Sequence, residues 1–381
     1  AKFGFVGMME YKKLGNICNI VSGGTPSRSK SQYWDNGNIP WIKIRDIKSK
    51  YIEDSEEFIT IEGLNNSSAK LLTKGTVLYT IFATLGEVGI LKIDACANQA
   101  IAGLTVKDET KILPEYLYYY LKSKKNIVNK LGRGVAQNNI NLSMLKEFEI
   151  EVIDIVKQNN IIKTLNYVDD IIKFKSLELK QLDELVKARF VELFGDPATN
   201  EYNWPMLNLE NVSSIITYGL TVRPTYVNKG IDLISARELH KGFIEYEVAP
   251  KISFNDFQSL SDKGKPLKND ILFSKTGSIG HCALVDTDKM FAITQNAARL
   301  GLIIEKVNPV WLLYYLRMNY IQDWCKRHAK GNAVKDLQLK DIKAIPLFEC
   351  PLELQNQFAD FVKEVDKSRF IIKSMIKEGL L

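Results

Sequence analysis

The sequence predicts an α+β chain built as a tandem pseudo-twofold repeat, each copy followed by a long helix and the two helices pairing as an antiparallel coiled coil. Three observations carry this expectation. Blocks of the first half recur in order in the second half. Within each copy, short β-branched and aromatic runs alternate with Gly, Asn and Asp, the pattern of a mainly antiparallel sheet. Each copy then ends in apolar residues spaced by steps of four and three.

The repeat sets the architecture. LGNICNIVSGG (Leu14 to Gly24) aligns with LENVSSIITYG (Leu209 to Gly219), and IKIRDIKSKYI (Ile42 to Ile52) with ISARELHKGFI (Ile234 to Ile244). KGTVLYTIFATLGEVGIL (from Lys74) answers KNDILFSKTGSIGHCALV (from Lys268), and NQA at Asn98 answers TQNA at Thr294. PEYLYYYL (from Pro114) matches PVWLLYYL (from Pro309), each a short apolar helix whose aromatic residues are core packing. GRGVAQNNINLSMLKEFEI (Gly132 to Ile150) matches KGNAVKDLQLKDIKAIPL (Lys330 to Leu347), read as a polar loop followed by an apolar strand. The offsets stay between 192 and 197, so one folded unit is duplicated with small loop insertions. The expected boundaries are residues 1–153 and 196–350 for the two globular domains, with helices over 154–195 and 351–381.

The first helix carries Ile161, Leu165, Val168, Ile172, Leu179, Leu182, Val186 and Leu193 as a heptad seam, broken at Lys175 and Arg189, and stops at LFGDP, where Gly195 and Pro197 end it. The second repeats the seam as Phe358, Val362, Val365, Ile372 and Ile376, with Arg369 intruding. A helix of roughly 36 residues is about 54 Å long. Paired against its copy, it would be a stiff spacer between two domains.

Composition narrows the function. The hydrophobic fraction is 45% and the charged fraction 25%, those of a water-soluble globular chain, and no apolar run approaches a membrane span. The N-terminal AKFGFVGMMEYKK has no signal-peptide pattern. The five cysteines are scattered without a CxxC pair, which fits a reducing cytoplasm and indicates neither zinc nor a disulfide framework. A net charge of +6 is a weak pointer to an anionic partner.

Catalytic signatures are missing. SGGTPSRS does not make a P-loop, NPVW and GDPA do not make a methyltransferase motif, HExxH is absent, and His240, His281 and His328 stand in no triad pattern. The chain therefore reads as non-catalytic. Its polar loops instead carry residues that recognise nucleic acid: Arg and Lys for guanine edges and phosphates, Asn and Gln for adenine, Ser and Thr for phosphates. The first copy offers Thr25, Ser27, Arg28, Lys30, Lys43, Arg45, Arg133, Gln137 and Asn138. At matching places the second offers Thr221, Arg223, Ser235, Arg237, Lys330, Asn332 and Lys335. Lys43 faces Ser235 in register, and Gln137 and Asn138 face Val334 and Lys335, so the two copies should read different sequences.

These markers together resemble the S (specificity) subunit of type I restriction-modification systems. They are SGGTPSRSKSQYWDNGNIPWIKIRDI, GTVLYTIFATLGEVGI followed by NQA, the paired segments before Gln158 and Gln355, and ELFGDP at the helix end. The resemblance covers nearly the whole chain. It implies two target-recognition domains, each reading half of a bipartite, asymmetric duplex DNA sequence, held apart by the helices. It also implies docking of two adenine-methylating M subunits and, through them, R subunits; S-adenosylmethionine belongs to M, and ATP with Mg to R, none bound by this chain. The competing reading is a coiled-coil scaffold that binds proteins without specific DNA binding.

Overall fold

The computed structural model describes residues 10–132, 140–222, 224–332 and 334–379. It divides into two compact units, one up to Ile171 and one from Ile172 onward. No helix among the described residues is long and apolar enough to cross a membrane.

In the first unit, strand Cys18–Ser22 lies against Ile101–Val106, which pairs with Val77–Thr80, then Val88–Leu91, then Tyr51–Ile52. A smaller sheet is centred on Ile39–Ile42, antiparallel to Phe58–Ile59 and parallel to Cys96–Ala97. The second unit repeats this plan. Ser213–Tyr218, Ala297–Leu302, Ile271–Ser274 and Cys282–Leu284 follow one another in the larger sheet, and Ile231–Ile234 runs parallel to Phe291–Ile293 in the smaller. The expected mainly antiparallel sheets are therefore present, with a parallel pairing at the same place in each copy.

The aromatic helices Pro114–Ser123 and Pro309–Arg317 begin with Pro, whose fixed φ suits a first turn. They supply core: Tyr118 and Tyr119 are buried in one unit, Trp311 and Tyr315 in the other. Each is followed by a second helix, Lys125–Gly132 and Asn319–His328, where the sequence pattern predicts only one short helix per copy. A second correction concerns INLSMLKEFEI. It is not one returning strand: Leu142–Lys146 is a short helix, and only Glu149–Val152 is strand, antiparallel to Glu10–Lys13. Asn141 causes this, because its side chain accepts from the Met144 amide and caps a helical turn that apolar alternation alone would have made β. Leu339–Lys343 and Pro346–Phe348 repeat the arrangement.

The long helix spans Ile155–Phe194, 40 residues and about 60 Å. Its buried stripe departs from the expected seam. Ile161 is exposed while Ile162 is buried, and Phe190 and Phe194 are fully buried where Arg189 and Leu193 had been aligned. Ile162 belongs to the core of the first unit, and Phe190 and Phe194 to that of the second, so which residue is buried follows the body each stretch packs on and not one continuous heptad seam. In the second unit Val186, Phe190 and Phe194 share a core with Phe358, Val362 and Val365 of helix Leu352–Gly379. Phe358 meets Phe190 and Phe194 at ring-centroid distances of 5.3 and 5.9 Å, whereas Arg369, further along, donates to the Leu182 carbonyl and to Asp183. The contacts thus advance in opposite directions along the two helices.

A buried glutamine joins helix to globular body in each copy. Gln158 Oε1 accepts from the Leu113 amide at 2.9 Å, and its Nε2 donates to the carbonyls of Lys111 and Ile153 at 2.6 and 2.8 Å. Gln355 accepts from the Asn308 amide at 2.9 Å and donates to the Cys350 carbonyl at 3.0 Å.

Candidate nucleic-acid interface

At one end of the strands in each unit, loops distant in sequence are tied together through their backbones. The hub in the first unit is the turn Asn98–Ala100. Asn98 N donates to Ile42 O at the end of the strand leading to Lys43, Ile81 N donates to Ala100 O, and Ile140 N, just after residues 133–139, donates to Ile81 O. Gly23 and Gly24 tie the SGGTPSRS loop to Ile101 and Ala97. The second unit uses the corresponding atoms. Thr294 N donates to Ile234 O, Lys275 N to Asn296 O, Leu337 N to Lys275 O, and Leu220 N to Ile293 O, while Gly219 N departs from the pattern and donates to Thr294 O. Glycine is required at these crossings: a Cβ on Gly23 would lie 2.1 Å from Asn98 O, and one on Gly219 1.7 Å from Ile293 O.

The loop after the central strand is shaped alike in both copies. The Thr80 hydroxyl, fully buried, donates to Thr84 O and accepts from Glu87 N; that of Ser274 donates to Ser278 O and accepts from His281 N. Ala83 has φ 60° where its counterpart Gly277 has φ 81°. A non-glycine residue held in this region signals a conformation the surroundings impose.

The first unit gathers charge. The Arg28 guanidinium lies 3.6 Å over the Trp34 ring and bonds Glu57 at 2.5 Å. Lys43 also bonds Glu57, and Arg45 Nε is 2.7 Å from Glu56, with Lys48 at 3.4 Å from the same carboxylate. Arg28, Lys43 and Arg45, predicted from separate segments, thus form one cluster with Lys48 around Glu56 and Glu57, with cations in excess. Burial pushes the Glu57 carboxyl up, but hydrogen bonds from Lys43 and Arg28 outweigh it and hold the group below the ordinary glutamate range. The Thr25 hydroxyl donates to Gln99 Oε1, Ser27 and Ser29 hydroxyls are 2.9 Å apart, and Lys30 donates to the Tyr33 hydroxyl at 3.0 Å.

In the second unit Lys330 and Asp336 exchange backbone hydrogen bonds, closing a hairpin whose exposed tip carries Asn332 and Lys335. The Asp336 carboxylate accepts from Lys275 and Thr276, both at 2.5 Å, fastening the hairpin to the Ser274–Gly280 loop. Thr221 and Arg237 are exposed on the neighbouring loops. Ser235 is committed to local structure: its hydroxyl donates to Glu238 at 2.6 Å and accepts from Arg237 N. Ser235 and Lys43 do occupy one structural position, since Ser235 N donates to Glu238 as Lys43 N donates to Asp46. Arg133, Gln137, Asn138 and Arg223 lie outside the described residues.

Several residues at these ends escaped the sequence reading: Gln99 and Gln295 on the hub turns, Glu56 and Glu57 bracing the cations, and Lys275 and Thr276 beneath the hairpin. Only Gln99 and Gln295 left a signal, the recurring NQA and TQNA. Among the described residues, no cluster of His, Cys, Asp or Glu could hold a metal ion. Burial pushes the Cys18, Cys325 and Cys350 thiols up to about 12, so they are protonated and inert at neutral pH.

The model of the family described as type I restriction modification DNA specificity domain matches residues 7–184 and 222–381. The chain is 32% identical over 406 residues to the type I restriction enzyme MjaIX specificity subunit of Methanocaldococcus jannaschii, covering 98% of this chain and 91% of that protein. It is 30% identical over 171 residues to the EcoR124I/EcoR124II specificity subunit of Escherichia coli, 43% of this chain and 41% of that one. Among solved structures, a chain from a study of assembly and conformational transition in the type I R-M system superposes with TM-score 0.61 at 16% identity, covering 99% of this chain and 96% of that chain. The type I restriction-modification S subunit from M. genitalium gives 0.52 at 15%, covering 99% and 95%.

Proposed function

The chain belongs to the type I restriction-modification DNA specificity family, and from that premise we propose that it is the non-catalytic sequence-reading subunit of such an enzyme. Each unit reads one half of a bipartite, asymmetric duplex target with the loops around its hub turn. The observation that carries this is the pairing of similar backbone ties at the loop ends with different side chains: Arg28, Lys43 and Arg45 around Glu57 in one, and Arg237 with the Lys330–Asp336 hairpin in the other. Basic and amide groups on a rigid loop end suit phosphate contacts and groove-edge hydrogen bonds. Of the sequence candidates, Thr25, Ser27, Lys30, Thr221, Asn332 and Lys335 belong to the same contact surface.

The helices Ile155–Phe194 and Leu352–Gly379 serve as an antiparallel coiled-coil spacer. The opposed order of their contacts supports this reading, and so do the apolar side chains they leave exposed, among them Phe174 at 68% and Phe370 at 74%. Such surface marks a protein partner. Two methyltransferase subunits dock there, bringing S-adenosylmethionine, and restriction subunits join through them with ATP and Mg.

Mapping methylated adenine across the genome, with and without this gene and its neighbours intact, tests the proposal. A bipartite motif that disappears with the gene is the expected result. An unchanged methylome, with an active methyltransferase partner demonstrated, would leave the protein-binding scaffold as the better account.

A further inference from the structure

We propose that Gln99 and Gln295 are a matched pair of DNA-backbone anchors, each donating its side-chain N–H to a phosphate oxygen and so seating its unit on the duplex without reading a base. This rests on the sequence-reading function above and adds a division of labour within it.

The two glutamines sit at the middle of the hub turns, at the same offset of 196 that relates Thr25 to Thr221 and Gly23 to Gly219. Both are exposed, while the residues leading into the turns, Cys96 and Ala97 or Ala292 and Ile293, are buried. Their backbones are pinned from both sides, because Asn98 N and Ile81 N bond neighbouring loops across the first turn, and Thr294 N, Lys275 N and Gln295 N do so across the second. The fixed turn spares the backbone an ordering cost on binding, so only the rotamers of the glutamine itself remain to be ordered.

Its chemistry is that of a donor. The Thr25 hydroxyl donates to Gln99 Oε1 and takes one of its lone pairs, while both N–H donors of the same amide remain for a ligand. In the second unit the strand partner at this place is main chain: Gln295 N donates to Leu220 O, next to Thr221, the residue that corresponds to Thr25. Amide donors fit acceptors, either phosphate oxygens or base edges. The repeat decides between these. Around the hubs the side chains differ, Lys43 against Ser235 above all, as readers of unlike half-sites must; the glutamine does not differ. A group common to both units matches the feature common to every half-site, the phosphate backbone.

The test uses the subunit assembled with its methyltransferase partners. Gln99→Ala, Gln295→Ala, Gln99→Glu and Gln295→Glu are compared with wild type for binding to the target duplex and to one with a scrambled half-site, across salt concentrations. Glutamate keeps the shape and still accepts from Thr25, but presents charge to phosphate. Alanine is expected to weaken binding to both duplexes by roughly tenfold, with an unchanged methylated motif and an unchanged salt slope, since no cation is lost. Glutamate is expected to weaken it further. A motif relaxed at one base of the corresponding half-site would instead make the glutamine a base reader, and glutamate variants that bind like wild type would make it a loop brace; either overturns the proposal. Wild-type protein lacking any target preference would refute the underlying function and not this assignment alone.

Discussion

Replacing Gln158 with alanine should loosen the first unit from its helix. The side chain is fully buried and satisfies three main-chain groups, the Leu113 amide and the carbonyls of Lys111 and Ile153. Alanine reaches none of them. Each buried polar group left unpaired costs about 1–3 kcal/mol, and a water entering the vacated space recovers part. The expected loss is therefore about 3 kcal/mol. Gln355→Ala in the second unit, which strands the Asn308 amide and the Cys350 carbonyl, should cost less, about 2 kcal/mol by the same reasoning. Urea unfolding followed by tryptophan fluorescence reads the total loss, because Trp34 and Trp41 lie in the first unit and Trp204, Trp311 and Trp324 in the second. Amide exchange at Leu113 and Asn308 reports the local release. If both variants stayed within about 0.5 kcal/mol of wild type, the range of ordinary surface changes, the glutamines would not be the joint inferred here.

Four further expectations follow from other contacts. Glu57 has a folded pKa below its unfolded one, so its contribution is complete above the ordinary glutamate range and fades as pH falls through the lowered value; the stability gap between wild type and Glu57→Gln should close on acidification, and a gap constant with pH in thermal melts would contradict this. Arg299, buried against Asp270 at 2.6 Å, should cost about 3–5 kcal/mol when changed to alanine, and less when Asp270→Asn accompanies Arg299→Met, as denaturation of the four-member cycle would reveal. Phe174→Asp with Phe370→Asp should leave unfolding unchanged yet abolish co-purification with the methyltransferase subunit; retained co-purification would remove the exposed apolar positions from the docking surface. Adding one heptad to each long helix lengthens the spacer by about 10.5 Å and should widen the unread gap in the methylated motif by about three base pairs; an unchanged gap would show that the helices do not set the spacing.

Much of this protein was legible along the chain. The duplication, the short alternating strands, the aromatic core helices and the long helices are expressed in patterns that repeat locally, and a local pattern survives in sequence because each residue answers to its immediate neighbours. The corrections came where two local signals competed. At INLSMLKEFEI the apolar alternation argued for strand, and the Asn141 cap, equally visible, prevailed. Along Ile155–Phe194 a heptad rule placed Ile161 and Leu193 inward, whereas packing on the two cores buried Ile162 and Phe194 and left Leu193 partly buried beside Phe194.

The sequence alone determined that there are two copies, and which loops carry Arg28, Lys43, Arg45, Lys330 and Lys335. Only the tertiary structure decided that those loops meet. Residues from Gly219 to Leu337 come together at one end of the second unit through backbone hydrogen bonds, and a main-chain amide or carbonyl is the same in every residue, so it leaves no mark in the sequence. The structure also separated side chains that look alike on paper. Ser235 is spent on its own turn, Asp336 fastens a hairpin, and Gln99, one residue of a three-residue motif, stands exposed at the centre with its carbonyl oxygen already accepting from Thr25. What a polar residue can offer to DNA depends on which of its hydrogen bonds the fold has already used, and that is settled only when distant segments pack.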